Sequence, residues 1–119
     1  MKALLLVAHG SRRATSNDEV RELTETVRRD NRDFDAVECA FLELAEPSIP
    51  DGLRMLITRG AERIVVLPYF LSAGRHVAED IPHEIDIVAR EHPGVEIRQA
   101  PYLGASPGVV DLLLKQAAG

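Results

Sequence analysis

The stretch Ala3-Leu4-Leu5-Leu6-Val7-Ala8, running straight into His9-Gly10-Ser11-Arg12-Arg13, decides how the rest of this chain is read. An unbroken apolar run without alternation describes a strand covered on both faces, the situation of a central strand in a parallel sheet. Such a sheet needs helical crossovers, and the sequence downstream supplies them. Ser16 and Glu19 have capping-box spacing and Val20, Leu23 and Val27 recur on one face, predicting a helix over roughly Asn17 to Asp30. Phe34 to Leu42 alternates Val37, Cys39 and Phe41 against Ala36, Ala40 and Leu42, a second strand.

Ser48 is placed to cap a second helix, with Pro50 in its first turn, Leu53, Leu56 and Ile57 facing the core, and Gly60 at its end. Arg63-Ile64-Val65-Val66-Leu67 is the clearest β-branched run, and Pro68, lacking an N–H, should limit pairing there. Tyr69 to His76 reads as an ordered loop, followed by a helix capped by Asp80 and stopped at Pro93-Gly94. Val95 to Gln99 is a weaker fourth strand, and Ser106-Pro107 opens a leucine-rich last helix. The order βαβαβαβα predicts an α/β three-layer sandwich: a four-stranded parallel sheet with helices on both faces, built as one domain over residues 1–119.

Composition narrows the function. The chain has 119 residues, 45% of them hydrophobic, enough for one core. Its formal net charge of -5 argues against nucleic-acid binding, which needs a concentrated basic face. The single cysteine, Cys39, lies within an apolar run, so a buried thiol in a reducing cytoplasm is expected. The first apolar run is too short for a signal h-region or a membrane span, so neither export nor membrane association is expected.

Three ionisable residues stand beyond successive strands: His9, Glu43 and His76. In open α/β sheets ligands bind outside the carboxyl ends of the strands, and imidazole with carboxylate suits a borderline divalent metal. Gly10 allows a sharp turn, while Ser11, Arg12 and Arg13 offer donors to an acidic ligand, although an ordinary turn with solvated arginines has the same composition. Glu43 sits between Leu42 and Leu44, where apolar enclosure would suit it to proton transfer near neutrality. Phe70 and Leu71 suggest a planar apolar ligand or, more plainly, a plug beneath the third helix; Arg75 would serve an acidic substituent. Asp80 is close enough in sequence to contact His76, whereas His83 and His92 read as exposed helix residues.

The strings HGSR at His9, FLELAEPSIP at Phe41 and PYFLSAGRHVAEDIP at Pro68 resemble the small single-domain sirohydrochlorin chelatases, the class II chelatases. The likeness runs from the first strand to the last helix and includes Tyr102-Leu103-Gly104. It implies a chelatase-like fold, one flavodoxin-like half, that inserts Co²⁺, Fe²⁺ or Ni²⁺ into sirohydrochlorin in siroheme or cobalamin biosynthesis. By the same resemblance His9 and His76 bind the incoming metal and act in catalysis, with Glu43 assisting. No permanently bound cofactor is implied, because the metal is a substrate. Ser11, Arg12, Arg13, Phe70, Leu71 and Arg75 are then the expected substrate contacts, and pairing as a homodimer is expected. Two other readings compete: a non-catalytic metal or tetrapyrrole carrier, and a phosphate-handling enzyme with His9 as nucleophile. The latter lacks a second phosphate-cradling glycine loop.

Overall fold

A computed structural model describes residues 1–119. Four strands, β1 (Lys2–Ala8), β2 (Ala36–Phe41), β3 (Arg63–Pro68) and β4 (Glu96–Gln99), form one sheet in the order β2-β1-β3-β4. Every pairing is parallel. The helices are α1 (Ala14–Asp30), α2 (Ile49–Thr58), α3 (Ile81–Glu91) and α4 (Gly108–Ala118), with a π-helical segment, His76–Asp80, leading into α3 and a short 3₁₀ turn, Leu103–Ala105, before α4. Because the strands are parallel, all their carboxyl ends meet at one edge, and this edge positions the site.

β1 is central and buried from Ala3 to Ala8, as its unbroken apolar run requires. Ala3, Leu5 and Val7 point into the main core with Leu53 and Leu56 of α2 and Ile81 and Val88 of α3. Leu6 and Ala8 face the other way, packing with Cys39, Phe41 and the α1 residues Val20 and Val27. Gly52 lies against Leu5 and Ala40, which lets α2 sit close to the sheet. Cys39 is buried and free.

Several boundaries differ from the sequence expectation. α1 starts at Ala14 rather than Asn17, and its N-cap, Arg13, makes no side-chain cap, so Ser16 and Glu19 form no capping box. The reason is Asn17, which is buried and spends its side chain on the preceding turn: its Oδ1 accepts from Ser11 N at 2.9 Å and its Nδ2 donates to Ser11 O at 2.8 Å. β2 is shorter than Phe34 to Leu42 because Phe34 leaves the ladder to lie under the Lys2 ammonium. Pro68 belongs to β3, and pairing resumes beyond it through Tyr69 N to Val7 O at 2.7 Å. The predicted cap of α2 is present, with Ser48 Oγ accepting from Asp51 N at 3.2 Å.

The largest departure is α4. The expected sandwich has helices on both faces of the sheet, yet none of the residues of α4 is buried, and Val110, Leu112, Leu113 and Leu114 are all exposed. One face of the sheet is therefore covered by α2 and α3 and the other by α1 alone. None of the helices is long and apolar enough to cross a membrane.

Candidate functional site

His9 follows β1 by one residue and Glu43 follows β2 by two, and the β1–β2 ladder continues past both strand ends to hold them in register. Leu42 N donates to Ala8 O at 2.9 Å and Glu43 N to His9 O at 3.0 Å. Gly10 makes this approach possible. It has φ 94°, and a Cβ there would overlap the Glu43 carbonyl oxygen. On the far side Leu44 takes a left-handed conformation, φ 66°, turning the chain away after Glu43.

His76 arrives from β3 by a longer route, on the first residue of the π-helical segment. Its ring meets that of His9 edge to face, with centroids 4.8 Å apart and planes inclined by 69°. Glu43 Oε1 lies 3.3 Å from His9 Nε2. The structure thus brings His9, Glu43 and His76 to one point on the carboxyl edge of the sheet. All three remain accessible, with side-chain exposures of 42%, 54% and 45%. The apolar enclosure expected for Glu43 is accordingly absent in the single chain.

Hydrogen-bond partners assign the imidazole nitrogens. His9 Nδ1 is 2.9 Å from the Gly10 carbonyl, which can only accept, so Nδ1 carries a proton. Nε2 then faces the Glu43 carboxylate. A ring protonated at Nδ1 turns its other nitrogen toward the carboxylate oxygen 3.3 Å away. His76 Nδ1 is 2.7 Å from Asp80 Oδ2, which leaves His76 Nε2 free in the same way. Asp80 is therefore not the cap of α3; its carboxylate is committed to His76, and it makes no capping bond. No group of three or more His, Cys, Asp or Glu side chains lies close enough to cage an ion. The two imidazoles stand side by side at this edge, and imidazole nitrogen is a ligand type that suits borderline divalent metals.

The remaining expected contacts distribute unevenly. Ser11 is half-buried and locked in the turn, its Oγ accepting from Arg13 N at 3.0 Å. Arg12 and Arg13 are exposed beside His9. Arg75 is exposed and paired loosely with Glu79 at 3.5 Å. Phe70 is partly buried against the main core, so the plug reading describes it, while Leu71 is 74% exposed. Tyr69, Phe70 and Leu71 nonetheless line an apolar recess of about 190 Å³ with Leu103. Gly104 holds that recess together: its N donates to Phe70 O at 3.0 Å, and a Cβ there would overlap the Leu71 carbonyl. His83 is exposed, as expected, and His92 half-buried. The largest concavity, about 480 Å³ between α1, β2 and α2, contains none of the three converging residues.

Sequence reasoning missed the part played by Asn17 and overlooked Gln99, whose Nε2 donates to Val77 O at 3.1 Å across the π-helical segment. The one available signal was a polar residue on an otherwise apolar face.

The CbiX family model matches residues 3–119. This chain belongs to the CbiX family. A sirohydrochlorin cobaltochelatase of Methanococcus aeolicus is 32% identical over 143 aligned residues, covering 100% of this chain and 99% of the relative. A sirohydrochlorin ferrochelatase of Priestia megaterium is 36% identical over 98% of this chain but only 43% of its own length. Among solved structures, the sirohydrochlorin chelatase SirB of Bacillus subtilis subspecies spizizenii, in complex with cobalt, superimposes with a TM-score of 0.89 at 31% identity. That match covers 98% of this chain and 50% of SirB, so this chain spans about half the length of SirB, whereas it spans nearly the whole length of the Methanococcus aeolicus relative.

Proposed function

We propose that this protein inserts a divalent metal, Co²⁺, Fe²⁺ or Ni²⁺, into sirohydrochlorin, with His9 and His76 receiving the metal and Glu43 handling protons. The observation that carries the reading is the meeting of these three side chains at the sheet edge of a CbiX-family chain. A tetrapyrrole loses its pyrrole N–H protons as the metal enters, so the site needs bases and metal ligands on the same side of the ring. His9 Nε2 and His76 Nε2 offer lone pairs to the ion. Two protein ligands leave coordination positions open for the incoming macrocycle nitrogens and let the ion depart, which a closed cage would prevent. Once the ion has passed to the macrocycle, the vacated His9 Nε2 accepts a pyrrole proton, and Glu43 beside it relays that proton to solvent.

Sirohydrochlorin is a polycarboxylate, so Arg12, Arg13 and Arg75 act as its anchors, with Ser11 as a hydrogen-bonding neighbour. Leu71, with part of Phe70, offers an apolar surface to the ring edge. A cytoplasmic setting completes the reading; the buried free Cys39 suits a reducing compartment.

The protein acts as a homodimer. Leu112 and Leu113 of α4 join Leu71 and Leu103 around an apolar groove of about 240 Å³, contiguous with the recess beside the site. Apolar surface of this kind calls for a cover, and a second copy takes the place that the other half occupies in the longer relatives. Sedimentation of Leu113→Glu is expected to report a monomer with much reduced insertion activity; a monomer of full activity would refute the dimeric site.

The direct test mixes protein, sirohydrochlorin and each metal anaerobically and follows the absorbance change of metalation. Rates no faster than the uncatalysed reaction for every metal would refute the enzyme reading, and stoichiometric binding without turnover would identify a carrier.

A further inference from the structure

The π-helical segment that leads into α3 carries His76 on its first residue and Asp80 on its last. Ile81 N donates to His76 O, an i→i+5 bond that widens the turn by one residue. Val77 is buried and Ile81 fully so, which fixes the inner side of this turn on the core. The Val77 carbonyl is held by Gln99 from the end of β4, so the turn is tied to the sheet as well. On its outer side His76 and Asp80 come together at 2.7 Å, Nδ1 to Oδ2. π-turns inside helices are rare and recur at functional sites, and a carboxylate hydrogen-bonded to the far nitrogen is how proteins orient metal-binding imidazoles.

We propose that Asp80 is a positioning residue for metal transfer: through Nδ1–H it holds His76 in one tautomer and one orientation, so that Nε2 presents its lone pair beside His9. Asp80 stands four residues after His76, the spacing that brings two side chains together on one helical face. His9 is held in the same tautomer by a neutral backbone carbonyl, Gly10 O at 2.9 Å. The Nδ1–H of His76 therefore has a carboxylate partner, and that of His9 a neutral one. The inference rests on the chelatase reading for its purpose but not for its test.

The test uses the whole protein without sirohydrochlorin. Imidazole ¹⁵N spectra are recorded at about pH 8.5, well above the ordinary histidine pKa of about 6.5, on wild type, Asp80→Ala and Asp80→Asn, with circular dichroism to confirm folding. Wild type is expected to show His76 as Nδ1–H. In Asp80→Ala that signature is lost and Co²⁺ affinity, titrated on the protein alone, falls about 10–100-fold. Asp80→Asn keeps an acceptor without the charge, so it retains the tautomer with an intermediate loss of affinity, and Asp80→Glu recovers part of it. An unchanged His76 tautomer and unchanged Co²⁺ affinity in folded Asp80→Ala, or in Asp80→Asn should the alanine variant not fold, would overturn the proposal. Metalation of sirohydrochlorin by wild type, measured separately, reports on the chelatase reading alone.

Discussion

The two histidines reach the same point by opposite means, and the contrast explains the architecture of the site. His9 stands one residue beyond β1, fixed by main-chain bonds: the extended ladder to Glu43, the close approach at Gly10 and the Asn17 clasp on Ser11. His76 stands eight residues beyond Pro68, at the end of an exposed segment, and is fixed by side chains: Asp80 on its ring and Gln99 on the neighbouring backbone. The first half of the site inherits rigidity from the sheet. The second depends on a helix start whose backbone closes through an i→i+5 bond and whose side chains, Asp80 and Gln99, hold it in place.

The contrast is tested most severely by removing each imidazole. His9→Ala and His76→Ala are each expected to lower the metalation rate on the order of 100-fold or more, since each removes both a ligand and a base. Wild-type rates in either variant would mean that the two halves do not act together.

Gly10→Ala separates the halves. The new Cβ would overlap the Glu43 carbonyl at a φ that L-residues avoid, so a loss of more than about 2 kcal/mol in thermal or denaturant unfolding is expected. In whatever fraction folds, the His76 tautomer should persist while the His9–Glu43 contact is lost. Asn17→Ala should cost about 1–3 kcal/mol, because it strips partners from Ser11 N and O in a half-buried turn. Insertion should slow without abolition, through a loosened His9 loop. Stability equal to wild type would show that the clasp contributes nothing.

The smallest effect belongs to a pair away from both histidines. Arg54 bonds Glu91 with both ends of its guanidinium, at 2.9 and 2.8 Å, tying α2 to α3. This holds the Glu91 carboxyl below its usual range and raises the Arg54 pKa. A depressed carboxyl pKa stabilises the fold above the unfolded-state value and loses that contribution as pH falls through the folded-state value. Arg54→Ala should therefore be slightly less stable than wild type at neutral pH, with the gap closing in acid, and metalation unchanged. A gap that widens in acid would contradict the sign, and a change in metalation would show that the α2–α3 face does reach the site.

Much of the fold was legible because it rests on local patterning. The unbroken run at Ala3 to Ala8 requires a central strand, the spacing of Leu53 and Leu56 a helix on one face of it, and Ser48 and Gly60 the ends of that helix. The carboxyl-edge placement of His9 and Glu43 followed from strand direction alone. Local pattern puts Asn17 at a helix start, but its burial depends on a turn folding back over it. Local pattern makes Pro68 a strand stop, but the ladder bond resumed at Tyr69 is a property of the neighbouring strand.

Strand direction and residue type were written in the chain, since apolar periodicity acts over a few residues and needs no distant partner. The distance between the imidazoles, the nitrogen each leaves free and the exposure of α4 were decided in three dimensions. Each depends on groups far apart in sequence, Gly10 against Glu43, Gln99 against Val77, Leu103 against Leu112, whose meeting only the packed sheet enforces. A leucine-rich helix has the same local pattern whether it covers its own sheet or waits for another surface, so its periodicity settles that it is amphipathic and not what it packs on.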